Sequence, residues 1–305
     1  MKQKRALLIG NWKMNPVSFA EAKKRFIDIK KSAITYKNLD VVICPPAPYI
    51  ASLAEISFGK KYLTGARAQG LLTETSAFKT KKTGVVSIGA QDASMYEEGG
   101  SRTGEVGAKM LTSSGADYII VGHSERRVLG DNGNTISQKI HNILRTHAYV
   151  ILCVGEKERD SDAGYLEVIK AQLKEALSSV ARSDMHRIIV AYEPVWAIGR
   201  KDNVAITSHD LHQMVVYIKK YFRDMWGDTI SSMTKILYGG SVTAENAEDI
   251  LVNGQVDGLL IGRASFEAAS FKEIFYAIEK LEKTQKTINL KKTLKKAKEN
   301  KKKIK

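Results

Sequence analysis

Residues 188–199 read IIVAYEPVWAIG. The opening run is apolar and mostly β-branched, with no polar residue at alternate positions, as expected of a strand covered on both faces. A carboxylate, Glu193, follows at once. Upstream, Tyr165 to Val180 places Leu166, Ile169, Leu173 and Leu177 at three- and four-residue steps, and downstream Leu211 to Phe222 places Val215, Ile218 and Phe222 on one side. Both stretches predict amphipathic helices. A doubly covered strand between two helices is the repeating unit of a parallel sheet.

Seven other short runs share this character: Leu7–Asn11, Val41–Pro45, Val85–Gln91, Tyr118–Gly122, Val150–Gly155, Ile236–Gly240 and Gly258–Gly262. With Ile188–Glu193 they make eight strands alternating with helices over about 280 residues, the count that closes a (β/α)8 barrel. The alternative, an open doubly wound sheet, would normally carry an early GxGxxG or a Walker loop, and neither is present. Two segments stand outside the alternation. Residues 59–83, polar and rich in Lys and Thr, predict an insertion between helix 2 and strand 3, on the barrel face away from chemistry. Residues 283–305 hold eleven Lys and one Glu, and their few apolar residues, among them Leu290, Leu294 and Ala297, cannot bury enough surface to fold alone. The expected organisation is a barrel domain over 1–282 and a basic, disordered tail over 283–305.

Of the net charge of +15, the tail supplies +10 and the rest of the chain +5. A basic tail, not a basic domain, sets the charge. It predicts a solvated solubility tail, with weak, salt-sensitive contact to nucleic acid or an anionic surface as the alternative; it has no aromatic side chain to stack on a base. No run of 18 apolar residues exists, so no membrane span is expected, and the apolar stretch Ala6–Ile9 is too short for a secretory signal, which points to a cytoplasmic protein. Cys44 and Cys153 lie in the apolar runs VVICPP and VILCVG and are expected as buried, reduced thiols. With no CxxC or HExxH, and only His209 and His212 in an HxxH on a helix, a metal site is not expected.

In a barrel of this kind the active site is built where strands end. Strand one delivers Asn11-Trp12-Lys13, strand four Gly122-His123-Ser124-Glu125-Arg126-Arg127, and strand six Glu193-Pro194-Val195-Trp196-Ala197-Ile198-Gly199. Strand seven delivers Tyr238-Gly239-Gly240-Ser241 and strand eight Gly262-Arg263-Ala264-Ser265. Taken singly these have plain readings: a satisfied structural histidine, a solvated lysine, a structural ion pair of Glu125 with Arg126, an ordinary turn at Gly239-Gly240, core packing for Cys153. Together they offer a cation, an imidazole, a carboxylate and two glycine-bearing turns, the set needed to enolise a phosphorylated hydroxy-carbonyl compound.

From Arg5 to Lys280 the chain resembles the triosephosphate isomerases, whose fold is the TIM barrel. NWKMN, VICPP, VGHSERR, LCVGE, AYEPVWAIG, YGGSV and GLLIG followed by ASF stand in family order, with residues 59–83 unmatched. The resemblance implies an isomerase of glycolysis and gluconeogenesis that interconverts D-glyceraldehyde 3-phosphate and dihydroxyacetone phosphate without cofactor or metal. It implies Glu193 as the base and His123 as a neutral imidazole electrophile, the pairing established for that family. Lys13 becomes a fixed cation near the substrate oxygens, Asn11 a hydrogen-bond donor in the same pocket, and Glu125 the carboxylate that holds Lys13. Backbone N–H groups of Gly199, Ser241, Gly262 and Arg263 would cradle the phosphate. Pro194 to Val204, with Pro194, Trp196 and Ile198, would form a lid hinged at Trp196. Residues 100–105, GSRTGE, resemble the loop that reaches into a partner subunit, with Thr103 touching the neighbour's Asn11 and Lys13 in a homodimer.

Three positions depart from the family pattern. Arg263 stands where a second glycine is usual, Gly199-Arg200-Lys201 replaces Gly-Thr-Gly and predicts a stiffer lid, and Asp92 stands where asparagine is common. These departures motivate a competing reading, a phosphate-binding barrel with an altered substrate. A non-catalytic anion binder is a third, against which Lys13, His123 and Glu193 argue, since a binder needs no base.

Overall fold

The computed structural model describes residues 5–36, 39–59, 85–160, 162–197 and 206–280. Eight parallel strands close on themselves in sequence order: β1 (Ala6–Asn11), β2 (Leu39–Cys44), β3 (Val86–Ala90), β4 (Tyr118–Val121), β5 (Tyr149–Val154), β6 (Ile188–Tyr192), β7 (Lys235–Tyr238) and β8 (Gly258–Ile261). The ring is sealed by β8 pairing with β1, in a register that sets Ile9 opposite Leu260. The eight expected strands are all present, most of them ending earlier than the apolar runs imply. β3 stops at Ala90, before Gln91, and β6 stops at Tyr192, before Glu193. Beyond Tyr192 one bond to β5 continues the pairing, the Glu193 N–H donating to the Val154 carbonyl at 2.8 Å.

Around the ring run α1 (Phe19–Thr35), α2 (Ile50–Phe58), α3 (Ala108–Ser113), α4 (Ser124–Val128), α5 (Gly133–Leu144), α6 (Gly164–Ala176), α7 (Ser208–Trp226), α8 (Asp228–Met233), α9 (Ala247–Val252), α10 (Arg263–Phe266) and a helix over 268–280. Their sequences explain them. In α1, Ala22, Phe26, Ile29 and Ala33 recur at helical spacing and are buried, while Ser18 caps the start by accepting the Glu21 N–H at 3.3 Å. α6 ends at Ala176 rather than running to Val180, because Leu177 leaves the helical backbone at φ −100°, ψ 6°. α7 extends the expected Leu211–Phe222 pattern both ways: Thr207 caps it through the Asp210 N–H at 3.1 Å, and Gly227 ends it at φ 86°, a conformation that favours glycine.

The strands show no polar alternation because both of their faces are buried, yet they alternate all the same. Leu7 and Ile9 of β1, Tyr118 and Ile120 of β4, Ile151 and Cys153 of β5, Ile189 and Ala191 of β6, Leu237 of β7 and Leu260 of β8 fill the barrel interior. The intervening Leu8, Ile119, Leu152, Val190, Ile236 and Leu259 pack outward under the helices. Each fully buried Leu, Ile or Val contributes about 1.5–3 kcal/mol relative to exposure. Cys44 and Cys153 are both buried and unlinked. Among the described residues no helix is long and apolar enough to cross a membrane. The expected insertion beyond Gly59, the expected tail 283–305, and Ile198, Gly199, Arg200 and Lys201 lie outside the described residues.

Candidate active site

The interior parity of the strands decides which residues reach the mouth. In β1 the inward series Leu7, Ile9 continues to Asn11, which ends the strand 6% exposed, and then to Lys13. In β6 the inward series Ile189, Ala191 continues to Glu193, which is 2% exposed. Glu193 is therefore aimed into the ring by the same pleat that aims its apolar predecessors.

Lys13 adopts φ 53°, a left-handed conformation unusual for a side-chain-bearing residue. Two hydrogen bonds hold it there: its N–H donates to Asn11 Oδ1 at 3.0 Å, and its carbonyl accepts from Gln91 Nε2 at 2.8 Å. Gln91 also donates to the Cys44 carbonyl at 2.9 Å, so one amide spans β1, β2 and β3. Asn11 thus acts here on the backbone of Lys13. The Lys13 ammonium donates to Glu125 Oε1 at 2.6 Å, as the resemblance implied. Glu125 and Arg126 do not form the pair considered from sequence: Arg126 turns instead to Asp92, its Nε 2.8 Å from Oδ2.

His123 is the N-cap of α4, and its Nδ1 accepts the Glu125 N–H at 3.2 Å. An accepting Nδ1 leaves the proton of a neutral ring on Nε2. That nitrogen lies 3.5 Å from Glu193 Oε1, while Glu193 Oε2 accepts the Ser124 N–H at 3.3 Å. The strand end carrying His123 is braced by Arg127, which donates to the Gly122 and Cys153 carbonyls at 2.8 and 3.0 Å.

Burial raises the proton affinity of Glu193; the nearby His123, the Ser124 N–H, the Cys153 thiol and Lys13 pull the other way and do not overcome it. Cys153 packs in the barrel interior, where burial and the nearby Glu193 carboxylate push its thiol well up. Behind Glu193 lies Gly239, where an added Cβ would come within 2.6 Å of Glu193 Cγ. On the other side Glu156, 1% exposed, accepts on Oε1 from both Tyr192 OH at 2.8 Å and Trp196 Nε1 at 2.7 Å. Glu156 was quoted within LCVGE but given no role.

The remaining expected positions gather less tightly. Gly262 borders the Lys13 stem, an added Cβ there lying 3.6 Å from Lys13 Cε, and Ser265 ties Gly262 down by donating to its carbonyl at 2.7 Å. Arg263 is the exposed first residue of α10, without the positive φ that would demand glycine. Ser241 is exposed after β7, its carbonyl accepting from Asn246 Nδ2 at 3.0 Å. Thr103 is exposed on the loop after β3. Pro194 is buried and Trp196 half-buried, both at the root of the segment whose remainder, 198–205, is outside the described residues. Asp92 has a clear structural partner. The buried Lys139 ammonium donates to both of its oxygens at 2.9 Å and to both Asp131 oxygens at 2.9 and 2.7 Å.

A family model described as "Triosephosphate isomerase" matches residues 6–71 and 70–278. The two stretches overlap at residues 70–71, so residues 59–83, left unmatched by the resemblance, lie within the matched range. Among similar proteins, a triosephosphate isomerase of Moorella thermoacetica is 33% identical over 273 residues, covering 89% of this chain and 98% of its own. One of Dehalococcoides mccartyi is 36% identical over 270 residues, covering 88% and 95%. One of Alkaliphilus metalliredigens is 34% identical over 270 residues, covering 88% and 97%. With a buried carboxylate, an imidazole and a lysine converging at one mouth of a closed parallel barrel, and with matches that run nearly its whole length, this chain belongs to the triosephosphate isomerase family.

Proposed function

We propose that this chain interconverts D-glyceraldehyde 3-phosphate and dihydroxyacetone phosphate, with Glu193 carrying the proton between the two carbons. The observation that supports this most directly is the Glu193 carboxylate, enclosed at the mouth with Oε1 3.5 Å from His123 Nε2. Burial strengthens it as a base toward a carbon acid that water-exposed carboxylates barely touch. It takes the proton beside the carbonyl while His123 Nε2–H polarises the carbonyl oxygen and Lys13 offsets the developing negative charge. The resulting enediolate is reprotonated by Glu193 on the neighbouring carbon, and His123 exchanges the proton between the two oxygens. Before it acts, Glu193 releases the Ser124 N–H that it now accepts. Asn11 and Glu125 hold Lys13 in place from either end, through its backbone and its ammonium.

In this reading Gly199, Ser241, Gly262 and Arg263 offer their N–H groups to the phosphate, and Pro194, Trp196 and Ile198 belong to a lid that excludes water from the enediolate. The catalytic unit spans 1–282, works in the cytoplasm without cofactor or metal, and is followed by the basic tail 283–305. It pairs as a homodimer in which Thr103 completes the partner's site. Supporting this, Met14 and Val17, next to the catalytic Lys13, are 92% and 94% exposed in the single chain, and the loop carrying Thr103 is exposed as well. The test is a coupled assay of the purified chain with each triose phosphate. Glu193→Asp, which shortens the arm by one methylene, should lower kcat by about 10²-fold or more. No turnover of either triose phosphate by the parent, or equal turnover by Glu193→Asp, would overturn the proposal.

A further inference from the structure

Gly262 and Arg263 stand at the start of α10, a single turn of four residues. So short a helix cannot hold itself by its own hydrogen bonds, and tertiary contacts must place it. From the barrel side, the buried Trp12 indole donates to the Ser265 carbonyl at 3.1 Å, and Ser265 Oγ reaches the Ile261 and Gly262 carbonyls at 2.9 and 2.7 Å. Gly10 of β1 leaves no slack there, since an added Cβ would come within 2.9 Å of Ser265 Cβ. From the outside, one side chain of α1 takes hold of the far end of the turn. The Arg25 guanidinium lies over the Phe266 ring, its carbon 3.8 Å from the ring centroid. Its Nη1 donates to the Phe266 carbonyl at 3.0 Å and sits 3.2 Å from Glu267 Oε2. Glu21, one helical turn earlier, accepts from Nε and Nη2 at 3.1 and 2.7 Å and fixes the plane of the group. The Phe266 ring in turn meets the Trp12 ring edge-on, with centroids 6.4 Å apart.

We propose that Arg25 is a positioning residue for the substrate phosphate: it fixes the far end of α10 so that Gly262 and Arg263 present their N–H groups at one set distance from Lys13. This rests on the reading of those N–H groups as phosphate donors. Arg25 is engaged by Glu21, Phe266 and Glu267, so it acts on the ligand through the turn and not by contact. The guanidinium suits the task, since it stacks on an aromatic face while its fork serves a carbonyl and two carboxylates at once. A cation against the last carbonyl of a helix is also favourable in itself. Gly262 borders the Lys13 stem, a Cβ there lying 3.6 Å from Lys13 Cε, so a shift of α10 alters the spacing between the phosphate donors and the ammonium. The groups that meet the reacting carbons are held by other means. Glu193 and His123 follow β6 and β4, and Asn11, Gln91 and Glu125 secure Lys13 without help from α10. Arg25 therefore bears on the phosphate end of the site alone, and its effect is confined to ligands that carry a phosphate.

The experiment compares the full-length parent and its variants on two substrates, glyceraldehyde 3-phosphate and glyceraldehyde, which lacks only the phosphate. Turnover of the second is followed by proton exchange in deuterated water. Competitive inhibition by glycerol 3-phosphate reads the phosphate end without any chemistry. Arg25→Met, which keeps an apolar cover on the Phe266 ring, should raise the inhibition constant and lower kcat/KM for glyceraldehyde 3-phosphate, each about tenfold, the size of one charge-assisted hydrogen bond. Its kcat/KM for glyceraldehyde should match the parent. Arg25→Gln, neutral and shorter, should do the same and replaces the Met variant if that one does not fold. Arg25→Lys, which keeps the charge without the planar fork, should fall between. An equal loss with both substrates, or a lower melting temperature with an unchanged inhibition constant, marks a purely structural role and overturns the proposal. So does an Arg25→Lys that equals the parent, since charge alone would then suffice. A parent that turns over glyceraldehyde as well as its phosphate defeats the phosphate reading on which the proposal rests, and a parent inactive on both defeats the function itself.

Discussion

Gly239→Ala tests the geometry around Glu193 without touching any group that does chemistry. A Cβ at residue 239 would lie 2.6 Å from Glu193 Cγ, 3.4 Å from Cδ and 3.2 Å from Oε1. Carbon–carbon contact becomes comfortable only near 3.5 Å, so the Glu193 arm has to retreat by about 0.9 Å. The backbone cannot absorb the difference, because the Gly239 N–H donates to the Tyr192 carbonyl at 2.8 Å and seats β7 against β6. On the far side the Ser124 N–H already engages the carboxylate at 3.3 Å. Residue 239 carries no positive φ, so alanine introduces no backbone strain and the effect is steric alone. Displacing a base by about an ångström costs on the order of 10²-fold in rate, and overpacking of this kind costs about 1–3 kcal/mol of stability. Steady-state kinetics with both triose phosphates, well below the melting temperature of the variant, should therefore show kcat reduced about 10²-fold in a folded protein. A folded Gly239→Ala whose kcat stays within about threefold of the parent would show that placement of the base tolerates such a shift, against the expected sensitivity.

Burial raises the proton affinity of Glu193, so folding favours its protonated form. That contribution is fully present below the ordinary glutamate range and is lost as pH rises through the raised folded value. Glu193→Gln, neutral throughout, should then melt above the parent at pH 8, with the gap closing toward pH 4 in calorimetric scans; a gap independent of pH would refute the assignment. The Lys13–Glu125 pair is 35% and 59% exposed, so it adds at most about 1 kcal/mol to stability. Glu125→Gln should leave the melting temperature almost unchanged and lower kcat/KM by about fivefold, an effect that shrinks in high salt; a large loss of stability would contradict this. Deleting 284–305 should leave kcat and KM unchanged while shortening retention on a polyanion column, and loss of isomerase activity would place the catalytic boundary elsewhere.

The ring of strands was legible because eight apolar runs alternating with helices have the count that closes a barrel, and their ends pointed to His123 and Glu193. What could not be read was which residues of a run face inward. Ile189 and Val190 look alike in sequence, yet one fills the barrel and the other packs under helices, and only that parity carries Glu193 into the mouth. Gln91 was placed at the end of a strand rather than at work, because an amide that binds two distant carbonyls leaves no local pattern. Glu156 was hidden for the same reason: its partners, Tyr192 and Trp196, are 36 and 40 residues away. Helix ends were set by capping geometry at Leu177 and Gly227, which hydrophobic spacing does not encode.

Lys139 is 3% exposed and its ammonium is wrapped by four carboxylate oxygens from Asp92 and Asp131. An acylating reagent must reach a lone pair on nitrogen, and here the path is closed by protein on all sides. In a chain with so many solvent-facing lysines, this one stays silent while the barrel is intact. Its labelling, followed by the mass of the peptide that bears it, would count the molecules that have come fully apart, a clock for global opening that needs no substrate and no dye.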